Sequence, residues 1–372
     1  MDKQLHIVTH DVPWPPVHGG FVDLFYKLVA LHKQGIQIHL HCFKKKTRKE
    51  EPELIKYCIS VNYYNRVTGV SGVSLTTPYI VHSRNSRVLI NNLKNDNFPI
   101  LLEGIHCTSL LQQKEFKNRK IFVRLHNIEY IYYRELAKSE KNIFKKLYYA
   151  VESVLLKKHE RSIVRKAVFL AVNEEDATVY KNKFHAEVHL LPVFIPFTEI
   201  KSHSGRGNFC LYHGNLSVNE NEKAVIWLLR VFENMNISFV IAGKDPSSRI
   251  KNLTVNKANI SLIISPSEVE MQKLIKEAQI NILPSFNNTG IKLKLLNALY
   301  NGKHCLVNKA SVAGTNLESL CTIADDESGF RQHIERLYAL DFSEDQIKLR
   351  RSVLEDIYDN EKNAQKLMTL IW

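Results

Sequence analysis

The feature that most constrains this chain is a repeated beat. Short apolar runs alternate with helical segments, and the pattern restarts once near residue 200. Such alternation builds parallel strands with helical crossovers, which is an α/β architecture. In the first half, LHIVTH (5–10) reads as a strand that runs into a Pro/Gly-rich loop, DVPWPPVHGG (11–20), and then a helix over 21–34 closed by Gly35. IQIHLHCF (36–43), PILLEG (99–104), KIFVRLH (120–126) and VFLAVN (168–173) are further strands, with a long basic helix over 138–166. After the linker-like LLPVFIPF (190–197) and SHSGRGN (202–208), FCLYHG (209–214) starts the second half. There the pattern predicts a helix over 220–235, strands at 237–245 and 260–265, and a helix at 266–278 with a Ser265/Glu268 capping box. Strands INILPS (280–285) and HCLVN (304–308) flank a helix that runs from Gly290 to Asn301.

At 372 residues the chain suits two domains. The expected division is 1–197, 198–345, and a terminal helical segment 346–372 packing back on the first domain. No apolar run reaches the roughly 18 residues a membrane span needs, and MDKQLHIVTHDV lacks the layout of a secretory signal. The six cysteines have no CxxC or zinc-type spacing, so reduced, mostly buried thiols in a cytoplasmic protein are expected. Through residue 197 there are 30 Lys and Arg against 18 Asp and Glu; the remainder has 21 against 20. The basic excess belongs to the first half, which predicts a face that meets something anionic. The basic runs lack interleaved aromatics and any nucleic-acid-binding motif, so nucleic acid is not expected. An anionic membrane at its inner face, met through KKKTRK (44–49) and the basic helix, or a phosphate-bearing acceptor fits better.

The most informative segment is LPSFNNTGIKLKLLNALYNGKHCLVN (283–308), where a strand, a polar loop and a helix follow one another. Ligands of open α/β sheets sit at the carboxyl ends of strands, and a helix N-terminus there favours anions. At 100° per residue, Gly290, Lys294, Asn297 and Asn301 form one polar stripe on an otherwise apolar helix. Lys292 and Lys294 stand at the end of the helix that repels cations, and a bound diphosphate reverses that penalty. Lys292 falls on the far side from Lys294 unless residue 292 still belongs to the loop.

This segment resembles the donor-binding motif of retaining glycosyltransferases of the GT4 type (glycosyltransferase group 1), nearest to the variant with a Gly-Ile-Lys/Arg-Leu-Lys opening. PPVHGG (15–20), RLHNIEYIYYREL (124–136), YHGNLSVNENEKA (212–224) and FVIAGKDPS (239–247) resemble other landmarks of that family. The resemblance implies a GT-B fold, with two Rossmann-like domains facing across a cleft, the first binding acceptor and the second a nucleotide sugar. It implies sugar transfer from a UDP- or GDP-linked donor, with retention and no metal or cofactor, to a glycan or lipid-linked acceptor in polysaccharide or glycoconjugate synthesis. Donor contacts would come from Gly19, Gly20, Gly214, Asn215, Lys244, Thr289, Gly290, Ile291, Lys292, Lys294 and Asn297. His126 and Asn127 would lie beside the transferred sugar, and Glu103, at another strand end, is the carboxylate to test beside them. The family's two glutamates fall on Thr289 and Asn297 here, and its Arg and Lys after the first strand of the second domain fall on Asn215 and Glu220. Lys292 and Lys294 are placed to restore the lost positive charge. A nucleotide-sugar epimerase on the same architecture and a non-catalytic homologue that binds a nucleotide sugar are the alternatives.

Overall fold

In the computed structural model, residues 3–16, 19–286 and 292–372 are described. The chain forms two compact units, residues 1–196 with 358–372, and residues 197–357. The first holds seven parallel strands: β1 (Gln4–Thr9), β2 (Gln37–Lys44), β3 (Ser60–Asn65), β4 (Ile100–Glu103), β5 (Ile121–Leu125), β6 (Val168–Ala171) and β7 (Val188–Leu190), in the order β3-β2-β1-β4-β5-β6-β7. The second holds six: β8 (Cys210–Asn215), β9 (Phe239–Lys244), β10 (Ile260–Ile264), β11 (Ile280–Ile282), β12 (His304–Val307) and β13 (Thr322–Ile323), in the order β10-β9-β8-β11-β12-β13. Each sheet therefore reverses its strand order once, between β1 and β4 and between β8 and β11. These are the places where such sheets leave a crevice for ligand.

Both faces of the first sheet are covered, so its central strands are buried at nearly every position and carry apolar residues on both faces, with His6, Thr9, Glu103 and Arg124 as buried polar exceptions. Along β4 and β5, Ile100, Leu102, Ile121 and Val123 enter one cluster while Leu101 and Phe122 enter the other. That period of two is the pleat of the strand.

The long basic helix expected over 138–166 is two helices, Glu129–Ser139 and Ile143–Ile163. Asn142 interrupts it by accepting the Phe144 and Lys145 N–H groups as an N-cap. The capping box of the second half lies two residues later than the sequence suggested. Ser265 has φ of 52° and belongs to the turn, so Ser267 caps Glu268–Glu277 with Glu270 in return. The segment 346–372 is also divided. The helix Glu344–Ile357 stays with the second unit and Asn360–Ile371 joins the first. The buried Arg350 explains the former: its guanidinium donates to the carbonyls of Leu299 (3.0 Å), Gly302 (2.6 Å) and Lys303. These are orphan acceptors at the end of the helix Leu293–Asn301. Asn360 explains the latter, pairing both ways with the Ile195 backbone at 3.0 and 2.8 Å. Ala364, Leu367 and Ile371 then fill the core beside Leu24 and Leu28.

One polar cluster is built into the first sheet. His6 Nδ1 lies 2.9 Å from His41 Nε2, His6 Nε2 reaches Asp96 at 2.9 Å, and His41 Nδ1 meets the Tyr64 hydroxyl at 2.8 Å. Burial pushes the His41 imidazole down to about 3, helped by His6 and His39 and opposed by Asp96. Burial lowers His6 as well, against the pull of Asp96. Because the folded value lies below the ordinary 6.5, the unfolded chain binds the extra proton first. Stability is then complete above about 6.5 and falls as the pH drops toward about 3. We expect the unfolding midpoint of wild type to fall faster below pH 6.5 than that of His41→Asn. Identical pH profiles for the two proteins would remove His41 from this role.

Candidate functional site

In the first unit the carboxyl ends of β1, β4 and β5 bring together His10, Glu103 and His126. Glu103 is fully buried, and one carboxylate oxygen accepts the Lys27 ammonium at 2.7 Å while the other lies 3.2 Å from His126 Nε2. Burial opposes ionisation of Glu103, but Lys27 and the His126 hydrogen bond outweigh it and hold the carboxyl below its ordinary value. Lys27 also donates to Asp23 at 3.1 Å, one turn earlier on the helix Gly19–Lys33. Asp23 in turn accepts Arg124 Nε at 3.1 Å, Arg124 Nη2 at 3.0 Å and the Phe194 N–H at 2.8 Å. Burial again opposes ionisation, and Arg124 followed by Lys27 holds Asp23 far below the usual carboxylate range.

Asp23, Glu103 and His126 each offer a ligand atom within 4.8 Å of the others, a spacing that suits a metal ion. Here the Lys27 ammonium, bonded to both carboxylates, supplies the positive charge. Sequence reasoning found Glu103 and His126 but missed Asp23, Lys27 and Arg124. The available signal was a charged i,i+4 pair inside an apolar helix and an arginine inside the strand KIFVRLH. Glu103 accordingly stands behind His126 and orients it. Asn127 follows His126, half-buried. Gly19 and Gly20 open the helix, and a Cβ on Gly20 would lie 4.0 Å from His10 Cε1.

Further histidines and arginines gather at this end. His10 stacks on His106 with centroids 4.9 Å apart, and Arg84 Nε donates to the His10 carbonyl at 2.9 Å. Burial, then Arg84 and His126, push His10 down to about 3. Arg66 Nε and His106 Nδ1 are buried without a partner. The sequence pattern does not single out His10, Arg66, Arg84 or His106, because they come from separate segments of the chain.

In the second unit, Thr289, Gly290 and Ile291 lie outside the described residues. The helix expected to start at Gly290 starts at Leu293, with Lys292 as its N-cap residue in extended conformation. Lys292 thus belongs to the approach to the helix and not to its far face. Lys294 points as the stripe predicted. Its ammonium donates to the Tyr212 hydroxyl at 3.2 Å and to Asn221 Oδ1 at 3.1 Å, and lies 4.8 Å from the centre of the Tyr212 ring. Burial lowers Lys294 to about 8, with Glu220 opposing and Lys292 assisting. Glu220 in turn accepts the Ser285 hydroxyl at 2.7 Å, beyond the end of β11. His213, on β8, is buried with Nε2 unpaired, and burial and Lys294 push it down to about 3.

Asn297 is turned along its helix, its amide oxygen accepting Asn301 Nδ2 at 2.8 Å. Asn215 and Lys244 are neighbours at the exposed ends of β8 and β9, where Asn215 Oδ1 caps Ser217. Gly214 pairs with Gly243, where an added Cβ would fall 1.9 Å from the Gly214 carbonyl. Bare backbone therefore packs at this strand end. The switch-point end of the sheet thus collects a lysine with little solvation, a hydroxyl, an amide and bare glycine backbone, a composition suited to an anion with a polar organic body.

The chain is similar to known proteins both in sequence and in fold. The sequence pattern of the family described as "Glycosyl transferases group 1" matches residues 207–339. A Klebsiella pneumoniae protein described as "Uncharacterized 44.6 kDa protein in cps region" is 30% identical over 350 residues, covering 88% of this chain and 89% of that protein. Among solved structures, a mutant of S. aureus TarM in complex with Fondaparinux, alpha-GlcNAc-glycerol and UDP superposes with a TM-score of 0.68 at 10% identity, covering 99% of both chains. The lipopolysaccharide outer core galactosyltransferase WaaB superposes with a TM-score of 0.64 at 12% identity, covering 98% of this chain and 99% of that one.

Proposed function

Since this chain belongs to the group 1 glycosyltransferases and has their GT-B fold of two Rossmann-like domains, we propose that its second unit holds the diphosphate of a nucleotide-sugar donor at Lys294. The protein is a glycosyltransferase. The observation that carries the donor assignment is the position of that lysine. It sits at the switch point of a parallel sheet, desolvated and held by Tyr212 and Asn221. A desolvated ammonium is costly without an anion, and a donor diphosphate removes the cost. Glu220 supplies the opposing charge in the free protein. Lys292, as N-cap residue, then stands at the approach to the phosphates.

The reading extends to the first unit as acceptor domain, with His126 directed by Glu103 toward the reacting sugar. With retention, the leaving diphosphate accepts the acceptor hydroxyl proton, and Lys294 stabilises the charge that develops on it. UDP is named with the structural neighbour TarM, and a cps region with the K. pneumoniae relative. The first favours a UDP-linked donor, and the second a polysaccharide-type glycan as acceptor. The basic first half goes with peripheral attachment at the inner, anionic face of a membrane.

The experiment incubates the purified protein with UDP- and GDP-sugars, with and without candidate acceptors. Acceptor-dependent release of nucleotide, with the anomeric configuration kept, is expected. An isomerised donor, or saturable binding without turnover in the presence of every acceptor class, would overturn transfer by this site.

A further inference from the structure

The helix Ile143–Ile163 is inside out. On a helix that packs against a domain, apolar residues face the core and polar ones face water. Here the buried side carries Glu152, Ser153, His159 and Glu160 beside Leu156 and Ile163. Each of those polar groups has a partner. Glu152 accepts the Tyr79 N–H at 2.9 Å, and Ser153 donates to the Tyr130 carbonyl at 2.7 Å. His159 meets Thr108 at 2.8 Å, and Glu160 accepts the Tyr180 hydroxyl at 2.7 Å. The exposed side carries Ile143 (73% exposed), Phe144 (81%), Leu147 (65%), Tyr148 (41%), Val151 (50%) and Val154 (69%). At 100° per residue, Ile143, Leu147, Val151 and Val154 form one continuous stripe, with Phe144 and Tyr148 along its edge. Leaving such a stripe in water is unfavourable by about 25 cal/mol for each Å².

The charge around the stripe says what covers it. Lys146 and Lys157 flank it, and Lys158 and Arg161 continue its line toward the C-terminal end. All four are exposed, and so is Lys145. The helix has two acidic residues, Glu152 and Glu160, and both face inward. The outward face is therefore apolar and cationic without a single carboxylate. A second copy pairing through this face would set like charges against one another, as an isologous contact must. A membrane rich in anionic lipid complements both parts: acyl chains take the stripe and headgroup phosphates take the cations. Val70 and Leu75, 89% and 93% exposed, stand on the segment that Glu152 anchors through Tyr79.

We propose that the exposed face of Ile143–Ile163 docks on an anionic lipid bilayer, its apolar stripe entering the interface and its lysines meeting lipid phosphates. This deepens the peripheral attachment proposed above: the basic helix already carried the charge, and the structure adds the apolar stripe on the same face. The stretch 44–49 has charge, whereas this helix has charge and an apolar stripe together.

The test is flotation of the full-length protein with phosphatidylcholine vesicles and with vesicles containing about one-third phosphatidylglycerol. Flotation with the anionic vesicles is expected, weakening with salt but leaving a salt-resistant remainder from the buried stripe. Leu147→Glu/Val151→Glu should lower partitioning at least about tenfold at every salt concentration. Lys146→Gln/Lys157→Gln/Lys158→Gln should lower it about 100-fold at low salt and little at high salt. All five side chains are exposed, and thermal unfolding of the variants checks that they fold. Absent flotation of wild type, or unchanged flotation of the glutamate variant, overturns the proposal. So does a lipid-free dimer that the glutamate variant dissociates, which would assign the face to a second copy. Neither donor nor acceptor is present, so failure here leaves sugar transfer standing.

Discussion

Lys294→Ala is expected to weaken binding of a nucleoside diphosphate by about 10- to 100-fold while leaving the nucleoside almost unaffected. Hydrogen bonds to charged groups contribute about 1.5–3 kcal/mol, and the nucleoside offers this lysine no charge to meet. The same residue predicts a pH dependence. With the free ammonium lowered to about 8 and a bound diphosphate raising it, binding takes up a proton above that pH. Affinity should hold steady below about 8 and fall above it, by as much as about tenfold per pH unit. In Lys294→Ala that slope should disappear. Isothermal titration with UDP and uridine across pH checks both results. Equal losses for the two ligands would move the phosphates elsewhere.

The second large effect lies in the other unit. Lys27→Met should destabilise the protein by about 3–5 kcal/mol, because it strands two carboxylates in a core where none of the participating side chains reaches water. Asp23 keeps Arg124, but Glu103 is left with His126 alone. Adding Glu103→Gln to Lys27→Met should recover about 1–2 kcal/mol by removing the unpaired charge. Urea unfolding of the single and double variants measures this. A loss under about 1 kcal/mol for the single variant would show that the network does not fasten the first helix to its sheet.

The sequence carried the architecture well, since buried parallel strands are continuous apolar runs and β1, β4, β5, β8, β9 and β12 announce themselves. It hid β3 and β7 because SVNYYN and VHL are mixed in polarity and sit at sheet edges. Turn chemistry moved two helix starts. A left-handed Ser265 displaced one cap, and Lys292 stays extended where the pattern had the helix already begun. Lys294 was legible because one polar stripe on an apolar helix leaves few orientations. The Asp23–Lys27–Arg124 network was not, because Arg124 lies 101 residues beyond Asp23 of the i,i+4 pair Asp23 and Lys27 and meets it only when β5 lies beside the helix that follows β1.

The return of Asn360–Ile371 to the first unit sets the order in which the molecule can be completed. The first sheet is synthesised early, yet the surface that receives Ala364, Leu367 and Ile371 has to wait until all of 197–357 has left the ribosome. Until then the apolar residues around Leu24 and Leu28 lack the cover this segment gives them in the folded protein. That surface is the place where a nascent-chain chaperone would hold on, and where a stalled or shortened chain would begin to aggregate.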